Sequence, residues 1–132
     1  MAETTHLYDD FALKMTRGDE VKLSLAVTKT QGGVTSAQDL TGGVVWVTGK
    51  RSLNDANTAA VIRLNSSALG GVEILSAAAG TAEATIAEGL TEDLPTTLQG
   101  VPLCVDCVWV DDAGKSHTFQ KGRLTIYPDA EL

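Results

Sequence analysis

Aromatic side chains are scarce in this chain, only 5% of 132 residues, so a core has to be built from Val, Leu, Ile and Ala. Histidine occurs twice, at His6 and His117, with no serine in a G-x-S-x-G setting and no glycine-rich phosphate loop ahead of a helix. These absences leave little for nucleophilic or general acid–base catalysis and point away from an enzyme. Two cysteines are too few for a disulfide framework or a four-thiolate metal site. Basic residues are also outnumbered, 10 against 17 acidic, for a net charge of −7. That balance argues against the nucleic-acid backbone or an anionic membrane as partner, because both select a basic surface. No apolar run approaches the ~18–20 residues of a membrane span. Met1-Ala2-Glu3-Thr4-Thr5-His6 has neither the basic nor the apolar region of a signal peptide.

What is present is a pattern of period two. Val21, Leu23, Leu25 and Val27 alternate with Lys22, Ser24 and Thr28, which predicts a half-buried strand. Phe11, Leu13 and Met15 alternate before it, across a tight turn at Thr16-Arg17-Gly18-Asp19. Gln31-Gly32-Gly33 is a further break, and Asp39-Leu40-Thr41-Gly42-Gly43 leads into Val44-Val45-Trp46-Val47-Thr48, apolar on both faces. Ala60, Ile62 and Leu64 alternate about Arg63, Val72 and Ile74 follow Gly70-Gly71, and Ala82, Ala84 and Ile86 alternate with Thr81, Glu83 and Thr85. Leu103, Val105, Cys107 and Trp109 face one way and Cys104, Asp106, Val108 and Val110 the other. Asp111-Asp112-Ala113-Gly114 then predicts a hairpin turn into a last strand, His117 to Tyr127, in which Gly122 suggests a bulge. Glu88 to Leu94 fits one short helical turn before Pro95.

The expected fold is therefore all-β: an antiparallel β-sandwich of about eight strands with one short helical turn, which the resemblance described below implies to be immunoglobulin-like. Its expected core is Val21 or the alternate set Leu23, Leu25 and Val27, with Val45, Val47, Ile62, Ile74, Ile86, Val105, Cys107, Trp109, Leu124 and Ile126. The domain is expected over residues 11–127, between an N-terminal arm, 1–10, and a C-terminal tail, 128–132.

Three motifs invite chemistry, and each has a structural explanation. Cys104-Val105-Asp106-Cys107 has the CxxC spacing of redox and zinc sites, but in a strand positions i and i+3 point to opposite faces. Two structural thiols with no metal are expected. Arg17-Gly18-Asp19 matches an adhesion tripeptide, and a glycine turn with positive φ explains it. Asp9, Asp10, Asp111 and Asp112 could suggest calcium, but Asp111-Asp112 is one pair beside Lys115, not a loop of converging oxygens. No cofactor is expected.

The order of these segments resembles the small immunoglobulin-like domains of tailed-phage virions, of the kind found at the N-terminus of phage baseplate upper proteins. The resemblance rests on Arg17-Gly18-Asp19, the strand Val21 to Val27, Asp39-Leu40-Thr41-Gly42, Lys50-Arg51-Ser52, Asp111-Asp112-Ala113-Gly114 and Gly122-Arg123-Leu124, over residues 11 to 127. Leu103 or Val105 stands where those domains carry a tyrosine. The resemblance implies a non-enzymatic virion structural protein of tail, baseplate, neck or head decoration, assembled in the host cytoplasm. Its partners would be other virion proteins and further copies of itself, and neither nucleic acid nor membrane. The N-terminal arm is the expected docking segment, with Leu7, Tyr8 and Phe11 as apolar anchors. The alternatives are a carbohydrate-binding or host-recognition module, which would expose neighbouring aromatics, and a bacterial adhesion or secretion module.

Overall fold

The computed structural model describes residues 11–52, 60–91 and 100–128, together with the backbone of residues 3–6. Two sheets pack face to face. One has four strands, in the order β1 (Glu3–His6), β3 (Val21–Ala26), β9 (Thr81–Ile86) and β8 (Val72–Ser76). The other has five, in the order β2 (Phe11–Thr16), β11 (Ser116–Tyr127), β10 (Val101–Val110), β6 (Val44–Lys50) and β7 (Ile62–Asn65). This is the strand order of an immunoglobulin-type sandwich, with the first strand split between the two sheets.

Alternation produces the core directly. On β10 the buried set is Val101, Leu103, Val105, Cys107 and Trp109, and on β9 it is Ala82, Ala84 and Ile86. Leu23, Leu25, Val27, Val45, Val47, Ile62, Leu124 and Ile126 complete the facing layer, while Ile74 is only partly buried against it. Leu40, missed in the expected core because it sits in a turn, is fully buried; its N–H donates to the Ala77 carbonyl at 2.9 Å. The expected helical turn is a 3₁₀ turn at Glu88–Leu90.

Several expectations need correction. The strand from Val21 ends at Ala26, and Thr28 opens a separate hairpin of β4 (Thr28–Gln31) and β5 (Val34–Ala37). Gly32 and Gly33 both have positive φ, the geometry of a two-residue hairpin turn, so the break at Gln31-Gly32-Gly33 is a strand reversal. The sandwich is not wholly antiparallel, because β1 runs parallel to β3 and β2 parallel to β11. The bulge in β11 lies at Phe119, between the pairs Cys107–Gln120 and Val108–Thr118, and not at Gly122. Gly122 instead lies under β2, where a Cβ would collide with the ring and carbonyl oxygen of Phe11. The N-terminal arm was expected to lack a partner in its own domain. Residues 3–6 instead pair with β3 from Glu3–Val21 to His6–Ser24.

Candidate docking face

The outward face of the five-stranded sheet is set by register. Residues paired across strands point to the same side, so each transverse row can be read off. One row is Lys50, Cys104, Arg123 and Ala12; the next is Arg63, Thr48, Asp106 and Lys121. Thr125 and Lys14 extend the cationic end, while Trp46 and Val108, then Val44 and Val110, form an apolar end. With strands ~4.8 Å apart, five cations lie within roughly 20 Å of one another. The face thus holds half of the chain's 10 basic side chains, and among the described residues its one carboxylate is Asp106. Among the described residues Lys14, Lys50, Lys121 and Arg123 have no carboxylate partner. The net charge of −7, which argued against anionic partners, conceals this separation of charge.

A shallow groove of about 420 Å³ crosses the face between Trp46, Lys50, Arg63, Asp106 and Val108. The Arg63 guanidinium lies over the Trp46 ring, 5.4 Å from its centre, a cation–π contact between β7 and β6. Trp46 and Tyr127 share this face but lie at opposite ends of it. Trp46 is level with Thr118, and Tyr127 lies a further ~30 Å along β11 at ~3.3 Å per residue. They cannot form one platform for a sugar ring.

A second cleft, about 540 Å³, opens between the base of the β4–β5 hairpin and the β11 bulge, bordered by Val27, Lys29, Gln38, Trp109, His117 and Gln120. Trp109 is 8% exposed and stacks on His117 at 5.1 Å between ring centres. His117 Nε2 lies 3.0 Å from Asp111 Oδ2. Asp111 Oδ1 accepts the N–H groups of Ala113 at 3.0 Å and Lys115 at 2.8 Å. The hydrogen bonds from His117 and then from the Lys115 backbone hold the Asp111 carboxyl below the usual carboxylate range, desolvation opposing them. Asp111 is therefore a turn-forming residue whose oxygens are engaged by the hairpin. Ser116 and His117 face opposite sides, so they do not form a nucleophile–base pair.

The cysteines diverge as strand geometry requires. Cys107 is in the core, and burial, with a smaller contribution from the Asp106 charge, pushes its thiol up to about 12. Cys104 lines the outer groove. Gly18 has φ +85°, and its N–H donates to the buried Thr91 Oγ1 at 3.0 Å, so the Arg17-Gly18-Asp19 segment anchors one sheet crossover. Of the expected docking anchors, Leu7 and Tyr8 lie outside the described residues. Phe11 belongs to the core, packed over Gly122, and offers no docking surface. The cationic face went unnoticed because its members are far apart in sequence. Their common signal, a charge at outward positions of four different strands, has meaning only once the strand order is known. No protein-family model matches the chain, and no relative was found among curated proteins.

Proposed function

We propose that this chain is a non-enzymatic structural protein of a tailed-phage virion, of tail, baseplate, neck or head decoration, which acts by docking on neighbouring subunits. The observation that carries a docking role is the β4–β5 hairpin. Its eight strand residues are all exposed, Val34 at 67%, and it pairs with neither sheet. An isolated two-stranded ribbon is marginal in water and adds nothing to this core. It does present free backbone edges, and extended segments are recognised by strand addition. The phage setting is supported by the ordered motifs alone, several of which lock turns: Asp39 Oδ1 accepts Thr41 N–H at 2.9 Å, and Asp111 closes the β10–β11 hairpin.

The test is to replace residues 29–36 by a two-residue turn. Gln38 N–H donates to the Val27 carbonyl at 3.0 Å and Val27 N–H to the Gly80 carbonyl at 2.8 Å, so the hairpin base stays pinned. The shortened protein is expected to melt within a few degrees of the parent but to be absent from purified particles by mass spectrometry. Absence of the parent chain from particles overturns the virion assignment, and unimpaired incorporation of the shortened chain overturns the role of the hairpin.

A further inference from the structure

We propose that the cationic outer face of the five-stranded sheet docks an extended acidic segment of a neighbouring protein, laid along β10. The proposal rests on the docking role of this chain and supplies the chemistry of one partner, through charge rather than through the hairpin. β10 is the low centre of the face, where the outward residues Cys104, Asp106, Val108 and Val110 carry short side chains. On one flank Arg123 and Lys121 of β11 stand opposite Cys104 and Asp106, with Lys14 beyond them on β2. On the other flank Lys50 of β6 stands opposite Cys104, and Arg63 of β7 lies beyond Thr48. Long cationic side chains thus border a central strip on both sides. An extended chain turns successive side chains to opposite sides, so carboxylates on neighbouring residues reach both flanks. Among the described residues Lys14, Lys50, Lys121 and Arg123 have no carboxylate partner, and an anionic segment relieves their mutual repulsion.

The face suits a protein segment better than other polyanions. Val44, Trp46, Val108 and Val110, each half-buried, continue the strip beyond the cations. Apolar side chains of a peptide gain from contact there, and phosphates do not. Grooves for single-stranded nucleic acid stack successive bases on aromatic rings. Here Trp46 and Tyr127 stand at opposite ends of the face, and the Arg63 guanidinium already lies over the Trp46 ring. Charge elsewhere limits the length of the ligand. With five cations on this face, five basic residues remain for the rest of a chain with 17 acidic ones. A long polyanion runs off the face into repulsion, whereas a segment as long as the seven residues of β6 covers the strip from Lys50 to Val44.

The experiment is fluorescence anisotropy on the purified full chain, so its outcome is independent of particle incorporation and of the hairpin. The probe is a fluorescein-labelled octapeptide, four glutamates followed by Val-Thr-Val-Thr. It is expected to bind at ~20 mM salt and to weaken about tenfold by ~300 mM. Lys121→Glu/Arg123→Glu on one flank and Lys50→Glu on the other should each abolish binding with unchanged melting curves. Val108→Thr, which keeps the shape of the side chain, should weaken binding roughly threefold. Absence of binding at low salt overturns the proposal, as does binding that survives either charge reversal or replacement of the glutamates by glutamine. Tighter binding of a single-stranded oligonucleotide of equal charge, or of vesicles rich in an anionic phospholipid, overturns it in favour of a nucleic acid or a membrane surface.

Discussion

At the scale of single residues, two positions decide more than their size suggests. Gly122 allows the Phe11 backbone and ring to lie against β11, and any Cβ must push β2 away. Gly122→Ala should cost about 3 kcal/mol by overpacking, measured by urea denaturation. Gly18→Ala, with open space around the new methyl, should cost only the ~1–2 kcal/mol of its left-handed backbone. Asp111 makes the second argument. Its carboxyl is held ionised by His117 and by backbone N–H groups, so its folded pKa lies below the unfolded one. The stabilisation is therefore present above the unfolded pKa and is lost as pH falls through the folded value. The melting temperature of Asp111→Asn should lie below that of the parent at pH 6. The two should converge as pH drops below about 4, near the ordinary Asp pKa.

At the scale of elements, the N-terminal strand shows how a weak local pattern is overridden. Glu3-Thr4-Thr5-His6 has no hydrophobic alternation, yet it covers the free edge of β3. Backbone pairing needs no particular side chain, and so leaves little trace in sequence. Deleting residues 2–6 uncovers that edge. If about two net hydrogen bonds are lost, at ~1 kcal/mol each, the loss is about 2 kcal/mol, or a fall of roughly 8 °C in a thermal melt. An unchanged melt would mean that β1 contributes nothing to the domain. The opposite lesson comes from β4 and β5, whose polar sequence and paired glycines form a hairpin without any core contact.

At the scale of the whole molecule, one core joins both sheets, from Phe11 through Leu40 to Ile126. Trp109 lies in that core and Trp46 on the outer face, so fluorescence reports on both environments. Unfolding followed by fluorescence and by far-ultraviolet circular dichroism should give coincident curves, as a single cooperative unit requires. Separated transitions would mean that the two sheets unfold independently.

The sequence by itself determined the fold class, most of the core and the divergence of Cys104 from Cys107. Each follows from the period-two rule, which acts between neighbours along one strand. It also located the turns at Gly18, Asp39 and Asp111, because those residues satisfy their own local backbone. Only the tertiary structure decided that β1 and β2 split between sheets and that Gly122 serves close packing rather than a bulge. It alone turned Phe11 from a docking anchor into core, and gathered Lys14, Lys50, Arg63, Lys121 and Arg123 on one face. These outcomes depend on which strands become neighbours. Strand order is chosen by the burial of all faces together, and no local stretch of residues carries that information.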